Sequence, residues 1–309
     1  MVKKKQENNK TNLIIIGVIS ALLLIAVINL IINAIGDTSP RQGATSANAI
    51  VIPITGEISS QGVAQGFFSQ SPGSAEIVNR IKQADQDSSV QAIYFEINSP
   101  GGAPVASHEI VKAIANTEKP TISLIRETGA SGAYWIASAT DHIVSDELSI
   151  TGSVGVQGSY IGLYGLMEQF NVTYERLAGG EYKDLATPLR EMQDKERELL
   201  EEKIDLMHEY FKNDVQQKRN LTDEQMGSVG TGAFFIGLEA FENGLIDSLG
   251  GEDEAKENLA QMLNVTEINL VRQERSQSFF QTLAGINMNA INPFSATSYS
   301  NANLELIKR

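Results

Sequence analysis

The chain has 309 residues, no cysteine and a formal net charge of −14 at pH 7. The absence of cysteine excludes a thiol nucleophile, a thiolate metal ligand and any disulfide. The acidic balance argues against a nucleic-acid partner. Only three histidines are present, His108, His142 and His208, so a histidine-rich metal site has few candidate ligands. We therefore expect neither a metal nor a cofactor.

The amino-terminal region has the pattern of a membrane anchor. Residues 13–35 are largely apolar and follow a short segment, 1–12, that carries four lysines. As a helix the run would be about 34 Å long, enough for a hydrocarbon core of about 30 Å. The lysines predict a cytoplasmic amino terminus and place the rest of the chain outside the membrane. A small-residue site at Ala47-Asn48-Ala49 leaves removal of the anchor open as an alternative.

Three further segments follow the predicted anchor. Residues 36–48 are polar and rich in small residues, which is typical of a tether. Residues 49–263 alternate apolar, strand-like runs with helical patterns, which indicates a single α/β domain. The strongest helical pattern covers 191–219, where Leu200, Ile204, Met207, Phe211 and Val215 share one face. Residues 264–309 are rich in Ser, Asn and Gln and predict a tail.

One stretch, 128–137, could carry a nucleophile. Its glycines Gly129 and Gly132 bracket Ser131 between a strand-like run and a helix-like segment. Such a turn exposes the serine hydroxyl and neighbouring backbone N–H groups. The second glycine follows the serine directly, which differs from the G-x-S-x-G elbow of the α/β-hydrolases. On spacing alone, a simple turn that opens a helix is the more ordinary interpretation.

A serine nucleophile needs a base. His108, on a predicted helix face, and His142, at a predicted strand start, are more typical of structural histidines. A lysine can serve when its amine is neutral, which requires burial. Lys183 lies in a glycine-rich loop before the long helix, and taken alone it is an ordinary loop lysine.

The pair Gly101-Gly102 ends another predicted strand. Such a pair usually makes only a tight turn. Its backbone N–H groups, unobstructed by Cβ atoms, are also suited to an oxyanion hole.

Taken together, five segments resemble signal peptide peptidase A, a family of membrane-anchored serine peptidases with a ClpP/crotonase-like fold. They occur in the family's order and span about residues 50–251. One departure is Ala133, where the family more often has a second glycine; a helix accepts alanine readily. The matching segments are Asn98–Gly102, Ala130–Ala137, Ile150–Val156, Tyr182–Asp184 with Pro188–Met192, and Gly244–Asp247 with Leu249–Gly251.

The resemblance implies a Ser-Lys dyad within a spiral of ββα units. Ser131 would be the nucleophile, Lys183 the general base, and Ser153 a hydroxyl that orients the lysine amine. The implied oxyanion hole consists of N–H groups from Gly101 or Gly102 and from Gly132 or Ser131. The implied substrates are hydrophobic peptides, such as signal-peptide remnants left after cleavage.

The resemblance also implies a homo-oligomer. The long, tandem members of the family take their serine and lysine from different halves. By analogy, this chain would form a ring or dome in which Lys183 of one subunit serves Ser131 of its neighbour. Two alternatives stay open: a crotonase-like acyl-CoA enzyme, which would need a carboxylate pair at the site, and an inactive membrane scaffold.

Overall fold

The computed structural model describes residues 46–61 and 72–272. The predicted anchor at 13–35, most of the tether and the chain beyond residue 272 lie outside this range, and the membrane anchor stays a prediction. In the two described ranges no helix is both long and apolar enough to cross a membrane. Residues up to Val271 belong to one compact unit, and Arg272 begins a second that is otherwise outside the described range.

The described residues form an eight-stranded sheet in the order β6-β5-β3-β2-β1-β8, with β4 beside β3 and β7 beside β4. All the pairings with a recorded register are parallel except β5 with β6. The strands are β1 Ser46–Thr55, β2 Ala92–Ser99, β3 Thr121–Ala130, β4 His142–Ser145, β5 Ile150–Gly152, β6 Phe234–Ile236, β7 Ser248–Leu249 and β8 Glu267–Arg272.

Helices connect these strands and confirm the predicted α/β class. The described helices are α1 Ser74–Gln86, α2 Pro104–Ala115, α3 Gly132–Ala137, α4 Tyr164–Gln169, α5 Asp194–Arg219, α6 Asp223–Val229, α7 Gly237–Glu242 and α8 Glu252–Leu263. The long predicted helix is α5, and it starts at Asp194 because Gln193 and Glu196 form a capping box there.

The central strands are buried on both faces. In β2, Ile93, Phe95 and Ile97 contact helices α1 to α3, whereas Ala92 and Tyr94 face α8. Successive side chains of a strand point to opposite faces, so a strand covered on both sides needs an almost unbroken apolar run. The run AIYFEI meets this requirement and places β2 at the centre of a three-layer arrangement.

Strand β3 changes partner along its length. Its first half pairs with β4, from Ile122 to Ile125, and its second half pairs with β5, from Thr128 to Ala130. The carboxyl end of β3 is therefore held between β2 and β5. This end carries the glycine- and serine-rich turn singled out in the sequence.

Two element boundaries differ from those predicted. Strand β1 begins at Ser46, so residues 46–48 belong to the sheet rather than to the tether. Strand β8 lies beyond residue 263, where a tail was predicted, and its Ile268 is buried in the core beneath α8. Strands β1 and β8 are neighbours in the sheet, and this contact between distant parts of the chain is not revealed by local composition.

Candidate active site

The site lies where β2 and β3 end. Because the two strands are parallel neighbours, with Ser99 opposite Gly129, their carboxyl ends open at the same edge of the sheet. The Gly101-Gly102 turn follows β2, and Ser131 follows β3. The crevice beyond the carboxyl ends of parallel strands is the common ligand site of α/β folds.

Ser131 has a strained backbone. Its φ of 53° and ψ of −125° lie in a region that L-residues rarely adopt. Two hydrogen bonds hold it there: the Ser131 N–H donates to Gly152 O at 2.8 Å, and the Trp135 N–H donates to Ser131 O at 2.9 Å. Strain of this kind, on the order of 1–3 kcal/mol, concentrates at functional sites. The predicted strand-to-helix turn is therefore present, with the serine at its apex.

The two glycine turns are in close contact. A Cβ on Gly101 would lie 2.8 Å from Gly132 N and 2.9 Å from Ser131 Cβ, and the Gly101 φ is +102°. A Cβ on Gly132 would lie 2.3 Å from Ser107 Oγ and 3.4 Å from Gly102 N. A side chain on Gly101 would push the two turns apart, and one on Gly132 would collide with the Ser107 side chain on α2, so both positions favour glycine.

The hydrogen bonds show which of the candidate oxyanion donors already have an acceptor and which are free. The Gly101 N–H donates to Ser99 Oγ at 3.1 Å, and the Ser131 N–H is taken by Gly152 O. Within the described residues, the N–H groups of Gly102 and Gly132 have no acceptor. Gly101 thus allows the two turns to lie close together, whereas Gly102 and Gly132 supply the free N–H donors.

A cavity of about 490 Å³ opens over these groups. Its lining includes the partly exposed Ser131 and the apolar side chains of Trp135, Val156 and Phe211. Glu57 is the one carboxylate among the described lining residues. A cavity that combines apolar side chains with a few converging polar groups is typical of a ligand-binding site.

Ser153 also lines the cavity. Its φ is 52°, its N–H donates to Ala233 O at 2.9 Å, and its hydroxyl donates to Gly232 O at 3.3 Å. The structure thus brings together five of the six predicted site residues: Ser131, Ser153, Gly101, Gly102 and Gly132.

Lys183 lies elsewhere in the same chain. It is exposed, sits in a turn after α4, and is absent from the described cavity lining. The Ser131 hydroxyl has no hydrogen-bond partner among the residues that the structure describes. A single chain therefore presents the serine and the free N–H donors but does not bring this lysine to them.

Trp135 links the helix after Ser131 to the long helix α5. Its ring stacks on Phe211 at 4.7 Å, and its Nε1–H donates to Asp214 Oδ2 at 2.6 Å. The His108 ring also stacks on Trp135, with 5.1 Å between the ring centroids, and burial lowers the pKa of His108. His108 therefore packs as an aromatic ring, which agrees with the structural role predicted for it.

Two serines that were not singled out from the sequence support the turns. Ser99 accepts from Gly101 and donates to Gly56 O at 2.6 Å. The Ser107 hydroxyl is fully buried against Gly132 and has no partner among the described residues. Ser99 lies within the Asn98–Gly102 segment that resembles the family, which was a usable signal, whereas nothing in the local sequence marks Ser107.

Residues 113–266 match the family model described as peptidase family S49. A Methanocaldococcus jannaschii protein named as a protease is 31% identical over 209 residues, which cover 67% of each chain. The chain belongs to peptidase family S49. The matched region contains both Ser131 and Lys183.

Other relatives of this S49 peptidase carry names from the expected family. An Enterococcus faecium protein named for signal peptide peptidase A is 26% identical over 298 residues, covering 88% of this chain and 87% of the relative. Protease 4 of Haemophilus influenzae is 29% identical over 204 residues, which cover 63% of this chain but only 32% of that protein. The resemblance to signal peptide peptidase A is confirmed, and the chain is a serine peptidase.

The described residues contain no group of three or more histidine or acidic side chains placed to hold a metal ion. His142 instead contacts Ser248 Oγ at 3.0 Å. A crotonase-like acid–base pair would need two carboxylates at the site, and the described lining supplies only Glu57.

Proposed function

We propose that this S49 peptidase is a membrane-anchored endopeptidase that cleaves hydrophobic peptides with a Ser-Lys dyad. One observation carries the proposal: Ser131, on a strained turn, shares a cavity with two glycine N–H groups that are unpaired within the described residues. We also propose that its fold is the ClpP/crotonase-like spiral of ββα units.

In the proposed reaction, Ser131 Oγ attacks the peptide carbonyl while the neutral Lys183 amine accepts the serine proton. The carbonyl oxygen becomes an oxyanion that accepts hydrogen bonds from the Gly102 and Gly132 N–H groups. The lysine ammonium then protonates the departing amine, which leaves an acyl-serine. A water molecule, deprotonated by the lysine, hydrolyses this ester and restores Ser131.

We place Lys183 of one subunit against Ser131 of a neighbour, within a homo-oligomeric ring or dome. The exposed position of Lys183 supports this arrangement, as does the Ser131 hydroxyl, which has no partner in the described part of the chain. Residues 155–195 contain no buried residue, and apolar surface on this scale commonly marks a protein interface. The apolar side chains in this segment that are more than half exposed are Ile161, Leu166, Phe170, Val172 and Leu177.

The anchor at 13–35 would hold the peptidase domain at the outer face of the cell membrane. Membrane-bound peptide remnants released by secretion are substrates of the right polarity for the cavity that Trp135, Val156 and Phe211 line. Nucleic acid is not an expected partner, because the chain carries a net charge of −14.

The test compares the full-length wild type with Ser131→Ala and Lys183→Ala on a fluorogenic apolar peptide and on an unfolded protein. We expect both variants to lose at least about 10³-fold in kcat, since the nucleophile and the base act as one unit. Activity of the wild type should rise with pH through the alkaline range and resist chelators. Equal cleavage by all three proteins, or strong inhibition by chelators, would exclude the dyad.

A further inference from the structure

The segment that carries Lys183 has no apolar core of its own. Between residues 155 and 210 the one buried residue is Glu196, whose side chain is 2% exposed. Apolar packing ordinarily fixes a segment of this length, and a carboxylate is rarely buried without a partner. The conformation of this segment therefore depends on what holds Glu196.

Arg190 holds Glu196 with a two-pronged contact. Arg190 Nη1 donates to Glu196 Oε2 at 2.8 Å, and Nη2 donates to Oε1 at 2.5 Å. Glu196 Oε2 also accepts from the Gln193 N–H at 2.9 Å, which caps the first turn of α5. Paired, charge-assisted hydrogen bonds of this kind fix both distance and orientation.

The same guanidinium also binds Asp184, the residue that follows Lys183. Arg190 Nε donates to Asp184 Oδ2 at 2.8 Å, and Arg176 Nε donates to Asp184 Oδ1 at 2.8 Å. Arg176 also binds the carbonyl oxygens of Gly180 at 3.1 Å and Glu181 at 2.9 Å. Both oxygens of Asp184 are thereby occupied.

Lys183 lies at the tip of the turn that these contacts enclose. The Leu185 N–H donates to Tyr182 O at 3.2 Å, so Lys183 and Asp184 are the two central residues of a β-turn. Four charged side chains, Arg176, Asp184, Arg190 and Glu196, thus connect this turn to the start of α5.

We propose that Arg190 is a positioning residue for the catalytic lysine, because it ties the Lys183 turn to the first turn of α5 through Asp184 and Glu196. The inference rests on the proposed role of Lys183 as general base. An exposed turn would otherwise let the lysine amine sample many positions. A displacement of about 1 Å at a reacting group can lower a rate by about 10²-fold.

The main test uses two substitutions that break the connection at different points. Arg190→Met keeps the length of the side chain and removes both ion pairs, and Glu196→Gln keeps its volume and an acceptor for the Gln193 N–H. We expect kcat to fall at least about tenfold in each, with KM within about twofold of the wild type, because base placement affects the chemical step. Labelling of Ser131 by a small fluorophosphonate should slow in parallel.

The matched control is Lys195→Met. Lys195 pairs with Glu181 on the same turn, but both side chains are about half exposed, at 49% and 56%. An exposed pair of this kind contributes little, so kcat should stay within about twofold of the wild type. All variants are assayed as full-length protein in detergent, with their elution volume and thermal midpoint recorded.

Rescue by a conservative change separates positioning from a general structural role. Arg190→Lys keeps a cation between Asp184 and Glu196 but loses the paired hydrogen bonds of the planar guanidinium. It should therefore recover part of the kcat that Arg190→Met loses. Wild-type kcat in both Arg190→Met and Glu196→Gln would overturn the inference. So would a loss matched by Lys195→Met, or one that appears only in KM. Should Arg190→Met not fold, Glu196→Gln and Arg190→Lys decide the question.

Failure of the parent proposal gives a different result. If Lys183→Ala keeps its activity, the proposed Ser-Lys dyad is excluded, whatever the activity of the Arg190 variants. If Lys183→Ala is inactive while Arg190→Met and Glu196→Gln keep wild-type kcat, only the positioning role is excluded.

Discussion

At the residue scale, the site is built from positions where a side chain is either required or forbidden. Ser131 must carry its hydroxyl on a backbone with φ of 53°, and Gly101 and Gly132 must carry no Cβ. The strain at Ser131 is stable because β2 and β5 hold the turn from both sides. The apex geometry is thus maintained by backbone contacts rather than by the serine side chain.

Gly101→Ala should lower catalysis and also destabilise the fold. The new Cβ would lie 2.8 Å from Gly132 N, on a backbone with φ of +102°, and would displace one free N–H donor. Loss of one oxyanion donor typically lowers kcat by about 10²–10³-fold. Steady-state kinetics beside a thermal midpoint would check this.

The control for that substitution is Gly227→Ala. Gly227 lies in α6, and a Cβ added there would meet no described atom within 4 Å. Alanine in a helix is favoured over glycine by about 1 kcal/mol. The control should keep full activity and gain stability. If Gly101→Ala retained wild-type kcat, the Gly132 N–H would not be an essential donor.

At the element scale, the long helix α5 contacts both the Lys183 segment and the Ser131 helix of its own chain. Its first turn binds the Lys183 segment through Glu196 and Arg190, and its carboxyl-terminal half binds the Ser131 helix α3 through Asp214 and Trp135. A rigid helix is well suited to this task because its residues keep fixed relative positions.

Asp214→Ala should destabilise the fold by about 1–3 kcal/mol, since it leaves the N–H of Trp135, a residue only 5% exposed, without an acceptor. Asp214→Asn retains an acceptor and should lose less. Lys218→Met removes the ion pair with Asp214 alone and serves as the control. Denaturant unfolding measures all three, and equal stability of the Ala and Asn variants would contradict the assigned role of the hydrogen bond.

The acid stability of α5 should depend on Glu196. Hydrogen bonds from Arg190 and from the Gln193 N–H lower the pKa of Glu196 to about 2, from its usual 4.5. A carboxylate with a lowered folded-state pKa stabilises the fold above about pH 4.5, and this contribution is lost as the pH falls toward 2. Asp184 acts in the same direction, because Arg190 and Arg176 lower its pKa as well.

We therefore expect the wild type to lose more thermal stability between pH 7 and pH 3 than Glu196→Gln does, although the variant should be less stable at pH 7. Melting curves at the two pH values measure the difference. Equal losses in the two proteins would show that Glu196 is not the titrating group.

At the scale of the whole molecule, one chain holds the serine site and the lysine turn apart. The described cavity lining includes Ser131 and excludes Lys183, and the segment from 155 to 195 exposes apolar side chains. Both features are accounted for when a neighbouring subunit covers that segment and receives its lysine.

Mixed oligomers test this arrangement directly. Ser131→Ala and Lys183→Ala chains, each inactive alone, should regain activity when dissociated and reassembled together. With equal, random mixing, about a quarter of the interfaces would pair an intact serine with an intact lysine. Recovery near that fraction supports a shared site. No recovery, or a fully active monomer in detergent, would exclude it.

The sequence by itself determined the local features of this protein. The strand–turn–helix at Ser131, the long amphipathic helix and the α/β class all follow from short-range patterns. Alternation, helical periodicity and glycine placement act over a few residues, so they can be recognised without knowing the fold. The family resemblance rested on the same local motifs.

Only the tertiary structure decided how those features combine. It showed that Ser99 and Gly152 occupy two of the candidate N–H donors and leave Gly102 and Gly132 free within the described residues. It placed β8 in the sheet with β1 and kept Lys183 out of the described cavity lining. Each of these outcomes depends on contacts between residues far apart in the chain, and the pattern along a sequence does not specify which distant groups meet.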